Sequence, residues 1–193
     1  MSKNTRFTAY RLCINGILTA LFFVLSLLSF EVAGVKVTFD ALPVVLAALL
    51  FGPIDGFLVG FLGAFLEQMI HYGFTVTTLL WVLPPALRGL CLGFLLLPLR
   101  GNIISGKKKN VVLCFVAAVL AGIVTSIGNT FVFYVDSTLY GYYSYALVFG
   151  VFWWRILTGA VVSVLVCTVS LAVAAALHKA GLVKKRRTSH DHH

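Results

Sequence analysis

Residues 41–70, ALPVVLAALLFGPIDGFLVGFLGAFLEQMI, decide how this chain folds. The stretch is apolar along most of its length, and two readings compete for it. As one continuous helix it exceeds the roughly 20 residues that cross a bilayer, and it gives the chain five membrane spans. Broken at FGPIDG, Phe51 to Gly56, it gives two arms and six spans. Gly52, Pro53 and Gly56 are strong turn formers, so the sequence favours the break. The first arm, Ala41 to Phe51, is short for a full crossing, so a re-entrant hairpin of the same parity is the alternative within this reading.

The positive charges arbitrate between five and six. Lys3, Arg6 and Arg11 precede the first apolar run, and Arg100, Lys107, Lys108 and Lys109 share one internal loop. Lys179, Lys184, Lys185, Arg186 and Arg187 follow the last run, so these three places hold twelve of the fifteen basic residues. Short loops rich in Lys and Arg stay on the cytoplasmic side. Only an even number of spans puts all three places there. The remaining spans are clear at about 12–30, 76–98, 111–135 and 146–177, and the expected architecture is an all-α membrane protein, a six-helix bundle. Residues 1–193 form one integral domain: a basic N-terminus to residue 11, spans from 12 to 177, and a basic tail from 178, with both termini cytoplasmic. The first span is long for a secretory signal and lacks a small-residue cleavage site, so it is expected to be a retained helix.

Composition agrees with a location in the cell membrane. Hydrophobic residues make up 60% of the chain and charged residues 11%, against about a quarter charged in a soluble domain. The net charge of +9 would suit nucleic acid if it were spread over one face. Its confinement to the membrane flanks accounts for it without nucleic acid. Cys13, Cys91, Cys114 and Cys167 stand singly in apolar runs and are expected to be reduced core residues.

Outside loops are then expected at Glu31–Asp40, near Tyr72–Thr75, and at Asp136–Ser144. The first contains VKVTF (Val35 to Phe39), a β-branched run that suits a short strand or lid. The third is rich in tyrosine, which suits an interfacial belt.

Within the spans, WVLPPALRG (Trp81 to Gly89) places Arg88 about 20 Å below Thr75 at 1.5 Å per residue, too deep to snorkel. A cation at that depth costs about 3 kcal/mol on insertion scales and must face protein, water or ligand. Thr77, Trp81, Pro84 and Arg88 fall on one helical face. Arg155 in FGVFWWRILTG (Phe149 to Gly159) is a second deep cation, and Thr125, Asn129, Phe133 and Asp136 share a face of the fifth span. These groups converge in the outer half, and they predict an outward-facing small-molecule cavity lined by Trp81, Arg88, Asn129, Phe133, Tyr134 and Arg155. The competing reading is a structural ion pair, Glu67 with Arg155 being the one matched in depth.

Catalysis finds no footing. The chain has no His-Glu-x-x-His, no Gly-x-Ser-x-Gly and no pair of intramembrane aspartates, so no enzyme activity, metal or cofactor is expected. His71 reads as interfacial, and the C-terminal SHDHH as a tail. GNIISGKK (Gly101 to Lys108) nearly matches a phosphate loop, but Lys108 stands where a hydroxyl residue would hold magnesium and the segment follows a membrane helix rather than a strand. Any energy for transport therefore comes from another chain.

With these features in place, the chain resembles the substrate-binding S components of energy-coupling factor (ECF) vitamin transporters. The resemblance rests on six spans in about 190 residues, the Leu42-Pro43 pair, LLFGPIDGFLVGFLGAF (Leu49 to Phe65) and the basic tail. It implies a subunit that binds a vitamin at the outer side and works with a transmembrane T subunit and two ATPases. The family's Ala-x-x-x-Ala on the first helix corresponds to Gly16-x-x-x-Ala20 in NGILTAL (Asn15 to Leu21), the implied docking face for the T subunit. Two deep arginines beside aromatic rings suit an anionic, ring-bearing vitamin, with folate favoured over pantothenate, riboflavin or a cobalamin. A non-transporting scaffold of cell-wall assembly is the alternative of another class, and it predicts polar groups packed against one another.

Overall fold

A computed structural model describes residues 9–32, 35–99 and 108–180. Lys3, Arg6, most of the 100–109 basic loop with its phosphate-loop-like sequence, and the basic His-ending tail lie outside the described residues. The order of elements is α1 (Ala9–Leu27), β1 (Phe30–Val32), β2 (Val35–Val37), α2 (Ala41–Leu50), α3 (Pro53–His71), α4 (Thr78–Leu96), α5 (Lys108–Leu139), α6 (Tyr145–Phe149) and α7 (Phe152–Lys179). Among the described residues, five helical segments are long and apolar enough to cross a membrane, the last running through α6 and α7. Their outer faces carry Leu12, Ile17, Phe94, Val112, Phe131 and Val161 more than half exposed, as expected where lipid is the solvent.

The break at FGPIDG is real and sharp. Gly52 has φ of +106°, a conformation L side chains avoid, and Pro53 opens α3 at a position where its missing N–H costs nothing. What differs from a regular six-span bundle is α2. Its ten residues rise only about 15 Å, half a hydrocarbon core, and eight of them are buried. A helix apolar on every side belongs inside a protein, and α2 packs against α1, α3, α4 and α7 instead of facing lipid.

At one end of the bundle the chain closes tightly. Cβ atoms added at Gly56 or Gly60 of α3 would sit 2.9 Å from the Gly89 carbonyl oxygen or 2.5 Å from that of Pro85, so α3 and α4 touch backbone to backbone. Asp55, fully buried, pairs with Arg11 of α1 and accepts a hydrogen bond from Asn15 Nδ2 at 2.7 Å. Arg11 also donates to the Phe51 carbonyl at 3.3 Å and lies over the Phe51 ring. Arg11 is therefore more than a topology signal: it ties α1 to the α2–α3 turn. Cys114 and Cys167, expected to stand singly, meet with Sγ atoms 3.7 Å apart as buried free thiols joining α5 to α7.

The opposite end carries the antiparallel β1–β2 hairpin, with Phe30 opposite Val37. A strand was expected in this region, and it comes as a pair. The expected last span also starts differently, as the short helix α6, a turn at Gly150 and Val151, and then α7. α4 runs unbroken through Pro84 and Pro85.

Candidate functional site

The helices part toward the hairpin end and enclose a cavity of about 670 Å³. Its size falls in the range of roughly 300–1,000 Å³ usual for small-molecule sites. Stripes from α4 and α5 face each other across it. From α4 and its N-cap come Thr77, Trp81, Pro85 and Arg88; from α5 come Thr125, Ser126, Asn129, Phe133 and Asp136. The spacing of i, i+4 and i+8 puts each set on one helical face. Pro84, placed on that stripe by sequence, is buried beside Gly128, and Pro85 takes the cavity position instead.

Arg88 lies farthest from the hairpin end. Its Nε–H donates to Thr125 Oγ1 at 3.1 Å, and that hydroxyl donates onward to the Ala121 carbonyl at 2.8 Å. The cation is thus braced by a hydroxyl, not by a carboxylate bonded to it. Arg155, from the first turn of α7, lies over the Phe133 ring with Cζ 4.8 Å from the centroid, within cation–π range. The ion pair seen among the described residues is Arg11 with Asp55, at the other end of the molecule.

The remaining wall is more acidic than the sequence suggested. Asp40 of the turn before α2, Glu67 of α3 and Asp136 of α5 all line the cavity, together with Gln68, Thr75 and Thr158. Asp40 stands at the N-cap position of α2 but makes no side-chain cap bond there. Asp136 is engaged three ways: it accepts from Thr77 Oγ1 at 2.6 Å, from Trp81 Nε1 at 3.3 Å, and from the Tyr142 hydroxyl. The only advance signal for Asp136 was its place on the Thr125–Asn129–Phe133 face. For Asp40 and Tyr142 the sequence offered none, since both sit in connecting segments.

Five of the six expected site residues, Trp81, Arg88, Asn129, Phe133 and Arg155, line this one cavity. Tyr134 does not. It follows Phe133 on the helix and so points about 100° away, where it is 40% exposed and packs edge-on against Tyr143 and beside Phe149. Tyr145 and Trp153 are likewise largely exposed, outside the cavity lining. His71 is exposed at the end of α3, its ring against Tyr72. Gly16 and Ala20 lie on the exposed face of α1, and no atom comes within 4 Å of a Cβ added at Gly16.

Comparison with known proteins converges on one family. The chain is 37% identical over 94 residues to a UPF0397 protein of Streptococcus gordonii, covering 48% of this chain and 50% of that one. It is 30% identical over 120 residues to a UPF0397 protein of Streptococcus agalactiae, covering 61% and 65%. The chain thus spans between half and about two-thirds of the length of these curated relatives. Among solved structures, the S component of a bacterial ECF transporter aligns with a TM-score of 0.58 at 24% identity, over 86% of this chain and 96% of that one. ThiT from Listeria monocytogenes aligns with a TM-score of 0.66 at 16% identity, over 89% and 94%. At such identities the two structures speak for the fold alone. Residues 10–170 match the family described as the substrate-specific component of ECF transporters, and the chain, a multi-pass membrane protein, belongs to that family.

Proposed function

We propose that this chain captures a vitamin with an anionic group and a ring system from outside the cell and passes it inward with a transmembrane T subunit and two ATPases. In this reading α1, α2, α3, α4, α5 and α7 make six passes, α2 completing its pass inside the bundle. Both termini and the 100–109 loop are cytoplasmic, so the cavity at the hairpin end faces outward.

The observation that carries the reading is the gathering of Arg88, Arg155, Trp81 and Phe133 around one space. Guanidinium groups pair with carboxylates through several donors, of which Thr125 takes only one from Arg88, and aromatic faces hold a flat ring. A scaffold would have filled this space with its own side chains. Asp40 and Glu67 in the wall favour a ligand that also carries hydrogen-bond donors. Folate, with an amino group and a lactam N–H on its ring and carboxylates at its tail, meets both demands better than pantothenate, which has no ring. Riboflavin and a cobalamin are alternatives in the same role.

Mass spectrometry of ligand retained through detergent purification should find a vitamin of this class. Titration should then show Arg88→Met weakening its binding about ten- to a hundredfold, the weight of a charge-assisted hydrogen bond. Arg155→Met should cost less, because that cation is shared with Phe133. Parent affinity in both variants would refute the reading.

A further inference from the structure

Asp136 is a costly residue to place in the wall of a membrane bundle, and its contacts say what it does there. Its carboxylate offers about four acceptor sites, and three are taken by protein donors. It is therefore poorly placed to bind a ligand and well placed to hold the groups that do. Thr77 is the N-cap of α4 and Trp81 lies in its first turn, Asp136 belongs to the last turn of α5, and Tyr142 to the segment joining α5 to α6, so one side chain gathers three parts of the cavity rim.

The rings follow from these bonds. With its Nε1–H bonded to Asp136, the Trp81 indole meets Phe133 at 6.4 Å and 60°, and Phe133 lies 6.2 Å from Tyr142. The segment carrying Tyr142 turns at Gly141, with φ of +75°, and is anchored by Tyr142 N–H to the Ser137 carbonyl at 3.0 Å. Tyr142 faces the cavity, while its neighbour Tyr143 packs on Tyr134 outside it. Desolvation and the bond to Asp136 push the Tyr142 phenol up to about 12, so it remains a donor at any physiological pH.

We propose that Asp136 is the positioning residue of this cavity: it orients the Trp81 indole and latches Tyr142 across the rim, so that ligand exchange proceeds through opening of the Tyr142–Asp136 bond. The second half of the statement rests on the cavity being the ligand site, and the first half does not.

The test has one arm that needs no ligand. Of the chain's three tryptophans, Trp153 and Trp154 do not line the cavity, so Trp153→Phe with Trp154→Phe leaves Trp81 as the sole reporter. In that background Asp136→Leu should shift the Trp81 emission to the red and increase its quenching by acrylamide, and Tyr142→Phe should increase quenching alone. If Asp136→Leu does not fold, Asp136→Ser, polar but too short to reach the same donors, takes its place, and Tyr142→Phe tests the latch in either case. Unchanged quenching in a folded Tyr142→Phe protein overturns the latch, and unchanged emission and quenching in folded Asp136→Leu overturns the positioning role. In the second arm, stopped-flow mixing with folate should show Tyr142→Phe raising both association and dissociation rate constants about three- to tenfold, the weight of one hydrogen bond, with little change in affinity. A faster dissociation alone would make Tyr142 a ligand contact and refute the latch. If folate does not bind the parent protein, the vitamin assignment fails, and the quenching arm still decides the role of Asp136.

Discussion

The two ends of this bundle solve opposite problems with different residues. At the Asp55 end the helices are drawn together: glycines of α3 meet the α4 backbone, a buried aspartate pairs with an arginine and an asparagine from α1, and two thiols touch between α5 and α7. Toward the hairpin end they part around a cavity that Trp81, Phe133 and Arg155 line without filling, with Arg88 at its deep limit. In lipid there is no hydrophobic drive to bring helices together, so close packing and hydrogen bonds must do so. The bundle concentrates that adhesion at one end, which leaves the other free to stay open.

The comparison breaks most completely if the glycine contact is removed. A Cβ at residue 60 would lie 2.5 Å from the Pro85 carbonyl oxygen and 2.8 Å from its carbon, and backbone cannot swing aside as a side chain can. Gly60→Val should therefore give little folded monomer on size exclusion in detergent, whereas Ala64→Gly, one turn farther along the same face, should remain monodisperse. Overpacking typically costs about 1–3 kcal/mol where side chains can adjust, and more is expected where they cannot. A well-folded Gly60→Val protein would mean that α3 and α4 can separate at this end.

Next in size is the polar tie. Arg11→Met leaves the Asp55 carboxylate with no exposure and without its cation, a loss on the order of 3–5 kcal/mol for buried pairs. The double change Arg11→Met, Asp55→Leu should recover much of that loss, because it removes the stranded charge as well. Thermal unfolding of the two variants measures the difference. Equal melting temperatures for the single and double variants would show that Asp55 finds another partner.

The same contrast explains what could be read from sequence. Span positions were legible because lipid demands unbroken apolar runs, and the α2–α3 break because Gly52 and Pro53 have local conformational meaning. Five of the six residues expected at a cavity do line one, because helical period places Trp81 with Arg88 and Asn129 with Phe133. The burial of α2 was not, since a segment apolar on all sides shows no face. Arg11 meets Asp55 across 44 residues and Cys114 meets Cys167 across 53, separations that no local pattern encodes. Tyr134 and Tyr142 look alike in sequence, but the helical step after Phe133 turns Tyr134 away from the cavity, while the turn at Gly141 brings Tyr142 to it.

The smallest effect on the chain itself, and the one that sharpens the division of labour, is expected at Gly16 and Ala20. Phe22 of the same helix lines the cavity, so Ala20 is only two residues, about 3 Å of rise, from the site. Direction separates them more than depth: Phe22 is buried, whereas Ala20 and Gly16 are exposed on another face of α1. Because nothing lies within 4 Å of a Cβ at Gly16, tryptophan there meets open space in the solitary subunit. Gly16→Trp, Ala20→Trp should therefore keep the melting temperature and leave ligand affinity nearly unchanged. If this face is where a T subunit's helices approach, as small residues permit in lipid, the same variant should lose co-purification with the ATPase module and lose uptake. Uptake at the parent rate would remove the Gly16 face from the coupling surface. Parallel loss of affinity and uptake would show instead that α1 transmits strain from its outer face to Phe22, joining two surfaces that the fold keeps apart.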